Sequence, residues 1–349
     1  MAYTTIDKPS DYFNTVLYTG NGGTGHAITG VGFQADWVWL KCRSSAHDHF
    51  LFDAVNGVKR FLSSNDTGAL AAADDSYLSV FGSDGFTLNN SDGMNESSQT
   101  FVSWNWKAGT SFTNDASGTG IGSIDSAGSV STTSGFSIVK WTGTGATGTI
   151  AHGLGAVPRM IIVKSLANTT SWMCQHASLG NAKEFYLNSA SAPGSSTAWN
   201  STTPTSTVFS VTGGAGDGVN ASGDYIAYCF SDVQGFSKFS SYIGNGNADG
   251  TFIYTGFKPA WIMIKSATTV ESWMLFDNKR LGFNPDNDYL LANATDVEPA
   301  DEEVLDIVSN GFKPRASAGT LGTSGQTYIY MAFAESPFVS SSGVPATAR

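Results

Sequence analysis

Charge is scarce in this chain. Asp, Glu, Lys and Arg make up 13% of its 349 residues, about half the usual share in a soluble domain. The 18 basic and 29 acidic residues leave a net charge of −11, and no basic cluster or stripe stands out. A nucleic-acid partner is therefore not expected, since phosphate binding needs concentrated positive charge. The longest charge run, Asp301-Glu302-Glu303, is acidic and reads as a solvated loop. Cysteine is scarce too. Cys42, Cys174 and Cys229 are odd in number, lack paired spacing, and each lies in an apolar run. That excludes a disulfide framework and points to reduced, buried side chains, as suits assembly in a cytoplasm. No apolar run approaches the roughly 18 residues of a membrane span, so no membrane insertion is expected. Residues 1–7 hold neither the basic nor the apolar stretch of a secretory leader. Strong helix formers at helical spacing are also missing.

What is present instead is Gly (40 residues), Ser, Thr and Asn, around a hydrophobic fraction of 41%. That mixture favours turns and short strands over helices, with enough apolar surface for a real core. The length allows two or three domains.

The chain repeats itself three times, at a period of roughly 100 to 120 residues. Each copy opens on a strand ending in aromatic-x-Gly-x-Gly, as in Tyr18 to Gly22, Trp141 to Gly145 and Tyr242 to Gly246. Two glycines two apart suit a tight turn or bulge that needs positive φ. A nearly continuous apolar run closed by a lysine follows: Trp37 to Lys41, Met160 to Lys164 and Trp261 to Lys265. Such a run predicts a strand covered on both faces. The third element is aromatic, beginning at His49, Ser171 and Ser272, and the fourth ends at Asn65, Asn188 and Asn293. Strands around Asp84-Gly85, Val208 and Asn310-Gly311 come next, two of them carrying hairpin signals. The last strands are 100–106, 225–230 and 328–333.

A unit of this size suits a β-sandwich, whereas solenoid repeats are shorter. The expected fold is all-β, with three tandem antiparallel β-sandwich repeats of jelly-roll or concanavalin-like type, each with its own core. The runner-up is one large sandwich plus a smaller domain. The expected division is an N-terminal docking segment at 1–11, a first repeat at 12–109, a Gly/Ser/Thr linker at 110–133, repeats at 134–236 and 237–338, and a flexible tail at 339–349.

Several of these stretches resemble a group of bacteriophage virion proteins, abundant in phages of aquatic bacteria, often labelled tail fibre or given only as a domain of unknown function. They are Met1 to Asp7 through Tyr18 to Gly22, Gly135 to Val139, His152 to Gly155 with Pro158, Gly235 to Phe239 with Tyr242 to Gly246, and Ala332 to Phe338. The resemblance covers nearly the whole chain. It implies a virion location and a concanavalin-like or related sandwich, and it supplies no catalytic residues.

Candidate chemical sites are few. His47 and His49 share one face of a strand and, with Asp53, form the nearest approach to a metal set. The competing reading is a polar loop entering an apolar strand. Asp286, Asn287, Asp288 and Asp296 offer oxygen ligands for calcium without EF-hand spacing. His152 reads as a turn residue rather than a catalytic base. Gly20 to Gly25 lacks the Lys-Ser/Thr of a phosphate loop. Trp199, in a Ser/Thr-rich stretch, is expected to be exposed, to stack on a sugar or fill a gap between subunits.

The expected function is non-enzymatic: a tail or fibre component that aids host attachment. Its partners would be copies of itself, with a trimer favoured, other virion proteins, and a host glycan or surface protein. A capsid decoration or head-fibre protein is the alternative, and a glycan depolymerase a third.

Overall fold

The computed structural model describes residues 2–214, 219–280, 284, 287–300 and 302–345. Met1, Asp286, Asp301 and the last four residues of the expected tail lie outside the described residues.

Over the described residues the fold is all-β, in six antiparallel sheets of two to eight strands. Three are main sheets. The first has four strands, ordered Phe13–Thr19, Thr100–Trp106, Trp37–Cys42, Phe50–Asp53. The second has eight, with Phe136–Gly143, Gly223–Phe230, Met160–Ser165 and Met173–His176 side by side in its middle. The third has five, ordered Ser237–Ile243, Thr327–Pro337, Phe257–Ser266, Met274–Asp277, Leu290–Leu291. The same connectivity thus recurs: opening strand, closing strand, apolar strand, aromatic strand. Each copy also carries one small sheet. In each small sheet an isoleucine faces a phenylalanine across the ladder: Ile28 with Phe86, Ile150 with Phe209, Ile253 with Phe312.

This is not a row of three sandwiches with separate cores, nor one large sandwich with a satellite. The apolar strands are indeed buried on both faces, as with all six residues of Trp37–Cys42. A small sheet of the same copy covers one face. The other packs on the main sheets of both other copies. There Trp37 stacks on Tyr228 at 4.4 Å, Phe13 on Phe333 at 5.2 Å, and Trp106 meets Trp261 edge-on at 5.5 Å. Phe230 and Phe333 close the third contact at 6.0 Å. A shared aromatic core therefore joins the three copies, while the first and second also keep cores of their own under their small sheets. Large flat rings favour this, because each buries 150–250 Å² and gains from offset or edge contact with its neighbours.

The repeated polar residues stitch the copies together in a cycle. Trp172 Nε1 donates to the Ser63 carbonyl, Trp273 Nε1 to Tyr186, and His49 Nε2 to Leu291. So the second copy bonds to the first, the third to the second, and the first to the third. Within each copy the backbone N–H of the same ring-bearing residue donates to Asn65, Asn188 or Asn293.

The stretch 110–133 is not a linker. It forms the strands Thr110–Asn114 and Ser126–Ser131, which extend the second main sheet beside Phe136–Gly143. Ser and Thr suit an exposed sheet edge, and Gly128 is needed because any side chain there would strike the Ile138 carbonyl. The N-terminal segment is pinned as well. Ile6 is buried in the shared core, Tyr3 Oη donates to the Gly256 carbonyl at 2.8 Å, and Asp7 accepts the Ser341 N–H at 2.6 Å. That last bond also ties down part of the expected tail.

Candidate functional site

The expected metal set is dispersed over structural roles. His49 is buried, and both its ring nitrogens are used. Nδ1 accepts from Trp39 Nε1 at 2.8 Å, while Nε2 donates to Leu291. Burial, then the nearby Lys41 charge, hold its pKa well below the ordinary imidazole value, so the ring stays neutral. His47 instead points to Glu96, 3.0 Å away. Asp53 accepts two backbone N–H groups, the Asn56 amide and, from the second copy, Tyr228 Oη at 2.9 Å. Burial raises the pKa of Asp53.

The oxygen set fares no better. Asn287 Nδ2 donates to the Leu305 carbonyl, Asp288 accepts the Glu302 N–H, and Asp296 is exposed. Asp286 lies outside the described residues. Among the described residues no group of three or more His, Cys, Asp or Glu is placed to hold a metal ion.

Trp199 is not exposed. It is 2% accessible, in a core with Trp141, Phe209 and Val211, so it offers no face to a sugar. The Ser/Thr-rich flanks hid a core residue. His152 is also buried. Its Nδ1 accepts the Leu154 N–H, its Nε2 reaches the Thr205 carbonyl at 3.2 Å, and burial lowers its pKa to about 4. His176 matches it, bonded to the Tyr330 carbonyl and likewise lowered to about 4 by burial.

Two buried ionic features escaped the sequence reading. The first is the lysine ending each apolar strand. Lys41, Lys164 and Lys265 are fully buried and meet backbone carbonyls: Cys42 and Thr295, then Thr67, Ser165 and Asn168, then Ala190. Each reaches into the copy that receives the ring N–H above. Burial lowers the pKa of each to about 8. The second is a network between the third and first copies. Arg280 pairs with Asp277 at 2.6 Å and Glu298 at 2.7 Å, and Arg43 holds the same Glu298 at 2.6 Å. Asp277 also accepts Trp104 Nε1 at 2.9 Å. Burial alone would raise the Asp277 carboxyl, but the Arg280 charge and hydrogen bonds hold it below the ordinary range.

On the surface, an open cleft of about 570 Å³ lies over the added edge of the second main sheet, with Asp115, Asp125, Lys140 and Asp224 on its walls. Its carboxylates are already engaged. Asp115 caps the turn Ala116–Thr119, Asp125 accepts the Ala116 N–H, and Asp224 accepts from Thr142 and faces Lys140 at 3.2 Å. A second groove, of about 640 Å³, runs between Tyr3, Gln234 and Ser341 to Gly343. No helix is long and apolar enough to cross a membrane among the described residues.

A family model described as "Domain of unknown function (DUF7483)" matches residues 8–337. No curated protein and no solved structure matches the chain.

Proposed function

The chain belongs to the DUF7483 family, and we propose that it is a non-enzymatic structural protein of a bacteriophage particle, a tail or fibre component that presents a surface for host attachment. One observation carries this reading. The buried lysines, ring N–H donors and carboxylates at repeated positions are spent on joining one copy to the next. Catalysis needs such groups gathered in a concave site with free valences toward a reactant. Here they tie the three copies together around a shared core.

The resemblance of Gly235 to Phe239, Tyr242 to Gly246 and Ala332 to Phe338 to phage virion proteins supplies the particle. The charge-poor, acidic surface fits exposure on a virion. Self-association, with a trimer as the favoured form, would add reach and avidity.

Immunogold labelling of purified particles, with antibody raised against the full chain, tests the placement. Label on tails supports the proposal. Label spread over the head transfers the protein to capsid decoration, and unlabelled particles refute both. Release of new reducing ends from host polysaccharide would overturn the non-enzymatic part.

A further inference from the structure

We propose that the outer face of the small sheet in the third copy binds a neutral glycan, on a platform made by Phe252 and Tyr254 and continued by the groove at Tyr3. The proposal rests on the attachment reading for its biological meaning only.

The three small sheets provide an internal comparison. Ile28, Ile150 and Ile253 occupy one position, each paired with a phenylalanine and turned inward. Neighbours of a strand residue point to the opposite face. Those neighbours are Ala27 and Thr29, both exposed, in the first copy, and the half-buried Thr149 and buried Ala151 in the second. In the third they are Phe252 and Tyr254, 48% and 46% exposed, around an Ile253 that is 6% exposed. The scaffold does not require aromatics there, since two copies fold with small residues.

Both rings are held in place. Phe252 lies across Gly311, where a Cβ would come 3.2 Å from its ring edge. Lys238 Nζ sits 5.5 Å from the Tyr254 ring centre and donates to the Tyr254 carbonyl at 3.0 Å. Tyr3 Oη gives its proton to the Gly256 carbonyl, so Tyr254 Oη, 3.2 Å away, donates to Tyr3 and keeps its lone pairs as acceptors. Tyr3 also lines the groove with Gln234, Ser341 and Ser342, none of them charged. Flat apolar faces beside hydroxyl and amide groups match the apolar face and hydroxyl rim of a sugar ring, and the ammonium of Lys238 beside Tyr254 is bonded to that residue's own carbonyl. Two half-exposed rings offer on the order of 200 Å², far below the roughly 800 Å² per partner of a stable protein interface.

The test is a glycan array of neutral and anionic oligosaccharides, probed with the full chain. Binding to neutral glycans is expected, weakened about tenfold or more by Phe252→Ala and by Tyr254→Ala. Thr149→Ala, at the equivalent place in the second copy, should leave it unchanged. Thermal melting of each variant confirms folding. Absence of neutral-glycan binding, selection of anionic glycans alone, or equal binding by a folded F252A/Y254A double variant would overturn the proposal. Array binding by a protein that immunogold does not find on particles would remove the attachment reading and leave the glycan site standing.

Discussion

The buried lysines make a pH-dependent prediction whose size follows from their surroundings. Among the described residues no carboxylate pairs with Lys164. Its Nζ donates to the carbonyls of Thr67, Ser165 and Asn168. Burial lowers its pKa from 10.5 to about 8, which corresponds to roughly 3 kcal/mol between the charged and neutral forms at 1.36 kcal/mol per tenfold. Below pH 8 the lysine is charged in both folded and unfolded chains, and the folded state bears the whole desolvation cost. Between about 8 and 10.5 the folded protein releases the proton while the unfolded chain keeps it. The unfolded state then binds more protons, so stability rises with pH. Lys164→Met removes this titration, and the Thr67 carbonyl still receives the Thr170 N–H at 3.0 Å. The measurement is urea unfolding of both proteins under reducing conditions, followed by tryptophan fluorescence, at pH 7, 8, 9 and 10. The stability of the wild type relative to the variant should climb by up to roughly 3 kcal/mol across that range. Taking the difference cancels the opposing effect of Cys174 and Cys229, whose thiols burial pushes up. A gap that stays constant with pH would refute a buried, charged Lys164.

Four further outcomes are expected. Asp277→Asn leaves Arg280 short of one carboxylate inside the first-to-third junction and should cost about 3 kcal/mol in a urea titration. Trp172→Phe takes from the Ser63 carbonyl its inter-copy donor and should cost about 1–3 kcal/mol, whereas Trp273→Phe should cost less, because the Tyr186 carbonyl still receives the Ser189 N–H at 3.3 Å. His152 and His176 stay neutral when folded down to about pH 4. As pH falls below 6.5 the unfolded chain takes up protons that the folded rings refuse, so stability drops by up to roughly 3 kcal/mol per ring. His152→Asn should flatten that slope in melting curves between pH 7 and 4.5. Gly128→Ala should detach the strand Ser126–Ser131 from Phe136–Gly143, read as lost hydrogen-exchange protection over residues 110–131 while the other copies keep theirs.

Strand content and order were legible, because apolar runs, terminal lysines and turn glycines recur at matching places. Burial on both faces of Trp37–Cys42 was legible for the same reason. What covers the second face was not. An apolar run records that water is excluded, without recording whether the cover belongs to the same copy or to another. The edge strands within 110–133 were missed because Ser, Thr and Gly serve an exposed sheet edge as readily as a loop. Trp199 was misread through its polar neighbours. The aromatic pair at Phe252 and Tyr254 had a signal available: comparison with Ala27 and Thr29, and with Thr149 and Ala151, once the flanking isoleucines are aligned.

The cyclic stitching bears on how the chain is made. Lys41 meets its acceptor at Thr295, 254 residues later. At about 5–20 residues per second, an emerging first copy waits roughly 13 to 50 seconds on the ribosome between Lys41 and Thr295, with the face carrying Trp37 and Trp106 still short of Phe333. Through that interval its only cover is a nascent second copy or a chaperone, so yield on expression should depend on translation speed and holdase supply more than on the stability of the finished protein.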